Sequence, residues 1–326
     1  MMPLSIRRKL GQQDHLAAIR ASHRFSERSP VLCEKVSRQP HFEGYWVCRG
    51  SIKGPQKPPC KSNVVLLWLH GGGYITGTAL AGVARLLRIA EMVEEQNLTI
   101  SIFALEYSLT PEAQFPAQVE EAISAYRYLI KEERINPNSI FVLGESAGGH
   151  LALSLAYGLH LQEISRPGKV GLLYPWVNLS NSGSSFHTNK YSDCLDKEDL
   201  DRGVDWLLGK DGRLVFADFL NFASSPRPKG MHWADILPST WVTIGGNDLL
   251  ISDVSDFVEA ARKDGVLVDF HIEPAMPHGW LNYRDSRSAN KYLSLFPSED
   301  ATSLLRGSET IAGVICAYAR SCRAQK

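Results

Sequence analysis

The sequence predicts an α/β fold in which helices flank a mostly parallel central sheet. Two apolar runs, the continuous Val64–Leu69 and the mostly apolar Ile100–Leu105, are typical of parallel strands that are buried on both faces. Strand-like and helix-like patterns alternate from residue 64 to residue 161, and this alternation predicts right-handed crossovers between parallel strands. With 326 residues and 44% hydrophobic content, the chain can bury a large core.

The order of these patterns predicts a single domain, residues 1–326, with two additions. Residues 1–43 are polar and basic and predict an N-terminal helical cap segment, which is followed by a peripheral strand near Tyr45–Cys48. The alternation stops over residues 180–235, and an insertion of this kind between two strands is typical of a lid over a binding site. The other strands are predicted at 139–143, 170–174, 241–244 and 267–272, and the helices at 81–95, 118–132, 150–161, 252–263 and 308–319.

Composition excludes several classes of function. The 35 basic and 35 acidic residues balance, so no net field favours nucleic acid or an anionic membrane as a partner. Residues 1–9 lack the apolar stretch of a secretory signal, and no run approaches the roughly 20 apolar residues that span a bilayer. The six cysteines are scattered without metal-binding spacing. We therefore expect reduced thiols, no metal, no cofactor, no stable membrane insertion, and a cytoplasmic monomer or homodimer.

The stretch around Ser146 has the layout of a nucleophile elbow. An apolar run over residues 139–143 ends at a glycine, the chain turns through the serine, and a helical pattern follows. Gly144 and Gly148 suit such a turn, because a Cβ at either position would clash with neighbouring backbone. The Gly-x-Ser-x-Gly pattern alone fits an ordinary strand-to-helix turn equally well, so the rest of the chain has to decide between the two.

A second glycine motif, His70-Gly-Gly-Gly-Tyr74, directly follows an apolar strand. Three consecutive glycines let the backbone curve so that its N–H groups converge on one point, as the stabilisation of an oxyanion requires. A flexible turn is the interpretation that three glycines favour on their own. A phosphate-binding loop is disfavoured, because no Lys-Ser or Lys-Thr follows the glycines and the G-x-G-x-x-G spacing is absent.

A serine nucleophile needs an adjacent base, and the base needs an acid that fixes its tautomer. His278 lies in a loop with Pro277 and Gly279 after a predicted strand, where its side chain can reach over the carboxyl edge of the sheet. Asp248 follows the preceding strand at the same edge. The chain order Ser146, Asp248, His278 is the order of nucleophile, acid and base that α/β-hydrolases use.

The other histidines and aspartates in these stretches have structural interpretations. His150 lies in the predicted helix after the elbow and is interpreted as a packing residue, and His271 lies inside a predicted strand. His70 is interpreted as a residue that braces the glycine loop. Asp253 and Asp256 lie at the start of a predicted helix, where compensation of the helix dipole explains them.

Taken together, these motifs resemble the hormone-sensitive-lipase-type family of α/β-hydrolases over about residues 60–285. The resemblance rests on His70–Tyr74, Tyr107–Glu112, Phe115–Ala117, Gly144–Gly149, Asp248 and the pair His278-Gly279. It implies an α/β-hydrolase fold and carboxylester hydrolysis, and we expect an esterase or deacetylase that acts on a small to medium hydrophobic ester. It also implies roles for six residues: Ser146 as nucleophile, His278 as base, Asp248 as orienting acid, and the backbone N–H groups of Gly72, Gly73 and Ala147 as oxyanion hole.

The sequence departs from the family pattern at two positions and leaves other functions open. Glu145 replaces the aspartate that often precedes the serine, and Ser108 replaces an arginine in the loop after residue 106, which affects how that loop is braced. An acyltransferase or a lactone or amide hydrolase would use the same triad. A non-catalytic receptor is disfavoured by the presence of His278. In the insertion, the aromatic residues either line an acyl pocket or pack the insertion against the body, namely Trp206, Phe216, Phe219 and Trp233.

Overall fold

The computed structural model describes residues 14–38, 41–223 and 232–324, and within them one sheet of eight strands forms the centre of the molecule. The strand order is β1-β2-β4-β3-β5-β6-β7-β8. The strands are β1 (Glu34–Arg38), β2 (Phe42–Cys48), β3 (Val64–Leu69), β4 (Ile100–Glu106), β5 (Ile140–Glu145), β6 (Lys169–Leu173), β7 (Thr240–Gly245) and β8 (Val268–Glu273).

The pairing confirms the predicted mostly parallel sheet. Strands β3 to β8 pair in parallel, whereas β2 pairs antiparallel with both β1 and β4. Every residue of β3, β4, β5 and β7 is buried, because helices cover both faces of the sheet at its centre. The edge strand β8 has only half-buried and exposed positions, which explains its polar residues.

Seven helices of 12 residues or more lie in the described parts of the chain. They are α1 (Val83–Glu95), α2 (Ala117–Lys131), α3 (Ala147–Leu161), α4 (Lys197–Leu208), α5 (Ile251–Lys263), α6 (Trp280–Ser294) and α7 (Arg306–Ala324). Helices α1, α6 and α7 pack on one another, and α2 packs on α3. Helix α3 is buried over nearly its whole length, as its leucine- and alanine-rich sequence requires, and so gives the predicted elbow a rigid support.

The N-terminal prediction is wrong in two respects. Residues 34–38, which were expected in the cap segment, form strand β1, and β2 is an inner strand of the sheet instead of a peripheral one. Strand β1 escapes prediction because four of its five residues are exposed and polar or charged. Residues 14–21 are helical, as the cap prediction expects, and residues 1–13 of that segment lie outside the described residues.

Helix α6 is a second element that the sequence patterns do not predict. It carries four buried residues, Trp280, Leu281, Asp285 and Tyr292, which are too few and too unevenly spaced for a clear amphipathic pattern. The remaining predicted elements agree with the observed ones to within a few residues, except that α7 begins earlier and ends later than residues 308–319. In the part of the chain that the structure describes, no helix has both the length and the apolar character needed to cross a membrane.

The stretch 180–235 contains α4 and four single-turn helices, and residues 224–231 of it lie outside the described residues. Asp196 caps α4 by accepting hydrogen bonds from the first-turn N–H groups. The helix packs directly on the glycine loop, since a Cβ built at Gly203 would lie 3.1 Å from Ile75 Cδ1 and 3.6 Å from the carbonyl oxygen of Gly73. Leu207 O also accepts a hydrogen bond from Phe115 N, which ties α4 to the loop before α2.

Candidate active site

Ser146 lies on a strained turn between strand β5 and helix α3. Its φ of 53° and ψ of −115° are unusual for a residue with a side chain, and strain of this kind is typical of nucleophile elbows. A Cβ at Gly144 would lie 2.1 Å from the carbonyl oxygen of Gly148, and a Cβ at Gly148 would lie 2.1 Å from that of Leu69. Any side chain at either position would displace backbone, which confirms the steric reason for the two glycines.

The predicted base, His278, lies within hydrogen-bonding distance of both the predicted nucleophile and the predicted acid. His278 Nε2 is 2.9 Å from Ser146 Oγ, and His278 Nδ1 is 2.9 Å from Asp248 Oδ2. Asp248 follows β7 and His278 follows β8, so both loops leave the carboxyl edge of the sheet on the same side as the elbow. Because an ionised carboxylate can only accept, Nδ1 carries the proton and Nε2 is free to accept from the serine hydroxyl.

Burial and charge act in opposite directions on this pair. Burial alone lowers the pKa of His278, but the carboxylate of Asp248 outweighs it, with smaller contributions from Asp193 and Glu145, and the pKa is raised above its usual value. Burial raises the pKa of the Asp248 carboxyl, and the hydrogen bonds from His278 and from Leu250 N–H oppose this effect. The arrangement therefore favours proton uptake at His278.

The glycine loop after β3 lies against the elbow. A Cβ at Gly71 would lie 3.3 Å from Ser146 Cβ. Gly72 has a φ of 117° and Gly73 a φ of 61°, and a Cβ at Gly72 would lie 2.2 Å from Thr76 O. Gly72 O accepts from the N–H groups of residues 75 and 76, so the Gly73 N–H of the same trans peptide points away from that turn.

His70 and Tyr107 brace this loop. Their rings stack at a centroid distance of 4.1 Å, and Tyr107 Oη donates to His70 O over 2.7 Å. The third predicted donor, Ala147 N–H, belongs to the first turn of α3, where backbone N–H groups have no carbonyl partner within the helix. The glycine loop, through Gly71, and the start of α3 thus both adjoin Ser146.

Two kinds of comparison identify the family. A family model described as "alpha/beta hydrolase fold" matches residues 66–282. An acetyl-hydrolase of Streptomyces hygroscopicus is 31% identical over 70% of this chain and 71% of its own length, and carboxylesterase NlhH of Mycobacterium tuberculosis is 28% identical over 69% of each chain. The chain is an α/β-hydrolase. It is a carboxylesterase-type hydrolase, as the sequence predicts.

Comparison with solved structures agrees with the assignment of this chain to the α/β-hydrolases. An esterase from the bacterial hormone-sensitive lipase family superposes with a TM-score of 0.67 at 25% identity and covers 95% of this chain and 97% of its own. An esterase/lipase from an uncultured bacterium, at 22% identity and a TM-score of 0.67, has the same fold over 99% of this chain and 92% of its own. The resemblance to the hormone-sensitive-lipase type is confirmed.

The two residues at which the hydrolase departs from the family pattern, Glu145 and Ser108, both have hydrogen-bond partners. Glu145 Oε2 lies 2.6 Å from Arg85 Nη2, and Glu145 Oε1 accepts from Asn282. Burial alone raises the pKa of Glu145, but Arg85 outweighs it and the pKa is lowered. Ser108 donates through its N–H and Oγ to the carboxylate of Glu121, at 2.7 and 2.5 Å, so these two residues brace the loop that an arginine was expected to hold.

The remaining candidates of the hydrolase lie away from the reacting atoms. His150 is fully buried between Tyr74 Oη and the carbonyl oxygen of Phe219, both at 2.8 Å, and burial lowers its pKa to about 4. His271 is exposed and contacts Glu273. The dipole interpretation of Asp253 is incomplete, since this residue is buried and accepts from Asn178 Nδ2 at 2.9 Å.

The four aromatic candidates of the insertion do not share one environment. Trp206 is 43% exposed, whereas Trp233 is buried against the rings of two phenylalanines, Phe222 and Phe257. Phe216 and Phe219 both contact the ring of Phe115, with centroids 5.2 and 5.3 Å away. Trp233 therefore packs the insertion on the body of the protein.

Three polar residues next to the candidate site are absent from the sequence interpretation: Asp193, Arg85 and Asn282. Asp193 accepts from the backbone N–H of His278, and the other two hold Glu145. Each belongs to a different element and reaches the site through a long-range contact. No local pattern marks such a contact, so the sequence carries no signal that finds them.

Proposed function

We propose that this hydrolase cleaves small to medium hydrophobic carboxylic esters, with Ser146 as nucleophile, His278 as general base and Asp248 as the acid that orients it. The observation that carries the proposal is the continuous hydrogen-bonded chain from Asp248 through His278 to Ser146, with 2.9 Å at each step. A serine hydroxyl is a weak nucleophile near neutral pH, and a base at this distance is what activates it.

In the proposed cycle, Ser146 Oγ attacks the ester carbonyl carbon while His278 Nε2 takes the hydroxyl proton. The carbonyl oxygen becomes an oxyanion that accepts hydrogen bonds from the N–H groups of Gly72, Gly73 and Ala147. Collapse of the intermediate expels the alcohol, which receives the proton from His278, and leaves an acyl-serine. Water then attacks the acyl carbon with His278 again as base, which releases the acid and restores the serine.

The chain is proposed to form a single domain, residues 1–326. In this domain the stretch 180–235 is proposed to act as a lid that limits substrate size. Its helix α4 contacts the glycine loop at Gly73 and Ile75, so the space over the proposed oxyanion hole is restricted on that side. A preference for short acyl groups agrees with the name of the acetyl-hydrolase relative. A cytoplasmic location and a monomeric or dimeric state remain predictions, which fractionation and sedimentation would test.

The proposal predicts that Ser146→Ala abolishes hydrolysis of p-nitrophenyl acetate and butyrate without unfolding the protein. Loss of a triad member removes most of the catalysis, by roughly 10⁴-fold or more. The matched control is Ser294→Ala, because this exposed serine donates only within its own helix, to Lys291 O. An active Ser146→Ala enzyme, or a wild-type protein that a fluorophosphonate probe does not label, would contradict the proposal. Rates measured with p-nitrophenyl esters of increasing acyl chain length then give the length of acyl group that the pocket accepts.

A further inference from the structure

A short segment of the insertion, residues 185–194, holds the two loops that carry Asp248 and His278. The carboxylate of Asp193 bridges them: Oδ1 accepts from His278 N over 2.8 Å, and Oδ2 accepts from Leu249 N over 2.6 Å. The same Oδ1 also accepts from the N–H of the next residue, Cys194, over 2.6 Å. One carboxylate therefore takes three backbone donors, one beside the proposed acid and one on the proposed base itself.

Other residues of the segment act on the same two loops. Asn189 Nδ2 donates to Asp248 O over 2.9 Å and to Gly246 O over 3.2 Å. Ser185 Oγ donates to Leu249 O over 2.5 Å. On the base loop, Cys194 Sγ lies 3.7 Å from His278 O. The backbone N–H and C=O groups of both His278 and Leu249 thus have partners in the segment.

Direct contact between the two loops is made near their beginnings. Asn247 N donates to Met276 O over 2.9 Å, and Gly246 N donates to Glu273 O over 2.8 Å. Past these backbone bonds, the loops meet through the side-chain hydrogen bond between Asp248 and His278. The segment spans the loops at that point, where a shift of about 1 Å in the base would cost on the order of 10²-fold in rate.

We propose that Asp193 is a positioning residue of the hydrolase, which fixes the acid loop and the base loop relative to each other, and that Asn189 holds the acid loop in the same clamp. This inference rests on the proposed function of Ser146, Asp248 and His278. It gives residues 185–194 a role in the geometry of the triad, in addition to any role of the insertion as a lid.

Asp193 also acts on the base through its charge. The charged and titratable groups around His278 are Asp248 on the acid loop, Asp193 and Cys194 on the segment, Glu145 before the nucleophile, and Tyr174, whose ring meets that of His278 edge-on at 5.0 Å. Burial lowers the pKa of His278, and the three carboxylates raise it. Removal of the charge at position 193 therefore lowers this pKa, which a purely structural contact would not do.

The test is Asp193→Asn, measured by kcat, KM and the pH profile of kcat/KM with p-nitrophenyl butyrate. The amide keeps one oxygen acceptor but offers an NH₂ group in place of the other, so one of the two loop N–H groups loses its partner. We expect kcat to fall roughly 10- to 100-fold with little change in KM. The acid limb of the profile moves to lower pH, because neutral His278 persists to lower pH when its pKa falls.

Two further variants complete the design. Asp199→Asn removes a charge from the same insertion at an exposed position paired with Arg202, and it should leave both kcat and the acid limb unchanged. Asn189→Ala releases the acid loop without a change of charge, so kcat should fall while the acid limb stays in place. This variant also keeps the proposal testable if Asp193→Asn does not fold.

The outcomes separate this inference from the proposed function. If wild-type activity depends on Ser146 but Asp193→Asn folds with wild-type kcat and an unmoved acid limb, Asp193 is not a positioning residue. A fall in kcat without movement of the limb would refute the electrostatic part, and an unchanged Asn189→Ala would refute the clamp at the acid loop. Activity that survives in Ser146→Ala would instead refute the proposed function itself.

Discussion

Substitution of Arg85 should destabilise the hydrolase more than the loss of an exposed ion pair would. The guanidinium Nη2 lies 2.6 Å from Glu145 Oε2, and the two side chains are only 5% and 11% exposed. In Arg85→Met, the apolar stem of the side chain is largely preserved but Glu145 loses its cation. Removal of one partner of a buried pair costs about 3–5 kcal/mol, because the remaining charge stays in a poorly solvated site without an opposite charge. Glu145 keeps the amide of Asn282 as a partner, but that group carries no charge.

The pH dependence of this loss follows from the pKa of Glu145. In the wild type Arg85 outweighs burial and lowers this pKa, so the pair contributes stability above the carboxyl's unfolded pKa and loses it as pH falls through the lower, folded pKa. In Arg85→Met burial becomes the dominant influence and raises the pKa. The folded variant then binds its proton more tightly than the unfolded chain, so acidification favours folding. The difference between the two proteins should narrow from pH 7 to pH 4.5.

Urea denaturation at several pH values, followed by tryptophan fluorescence, measures these free energies of unfolding. Lys197→Met is the matched control, since it breaks an exposed pair with Asp201 and should cost less than about 1 kcal/mol. The double variant Arg85→Met/Glu145→Gln should recover part of the loss, because no buried charge remains. A loss below about 1 kcal/mol in Arg85→Met at pH 7, or a difference that widens on acidification, would refute this account of the pair.

Two further predictions concern ionisable groups. Asp248→Asn should lower kcat by about 10⁴-fold, because the carboxylate no longer fixes the tautomer of His278. The acid limb of the kcat/KM profile should also move to lower pH, because His278 loses the carboxylate that raises its pKa. An acid limb that stays in place in the pH–rate profile would contradict this prediction. Burial lowers the pKa of His150 to about 4, so the unfolded chain takes up this proton at a higher pH than the folded protein does. The free energy of unfolding should therefore fall by roughly 3 kcal/mol from this group as the pH drops from above 6.5 to 4. His150→Gln, which can still hydrogen-bond to Tyr74 and Phe219, should lack that part of the pH dependence in denaturation curves; equal pH dependence in both proteins would refute the assignment.

The geometry around the elbow could be predicted because it depends on backbone contacts that only particular residues allow. Gly144 and Gly148 leave no room for a Cβ, and Gly72 and Gly73 take positive φ values, so each requirement is written into the sequence as a glycine. The candidate acid and base were predictable for a related reason. Each follows a recognisable strand, and parallel strands bring their carboxyl ends to one edge of the sheet.

The elements that escaped prediction are those whose stability comes from partners outside their own segment. Strand β1 is polar along four of its five residues and exists because β2 offers it a hydrogen-bonding edge. Helix α6 lacks a regular apolar stripe, and its buried Asp285 accepts from Ser308 Oγ and from the N–H of Gly307 at the start of α7. A pattern read along one segment contains no information about such partners.

Contacts between the insertion and the loops of the proposed triad limit how the insertion can vary. A segment that served only as a lid could change freely in length and sequence, because loops tolerate both. Here residues 185–194 also contact the backbone of His278 and of the acid loop, while α4 contacts the glycine loop at Gly73. A change in the insertion that reshapes the pocket therefore also strains the proposed triad, unless Asp193 and Asn189 keep their positions. Substrate range should be easiest to alter through α4 and the residues after it, and hardest through the segment before it.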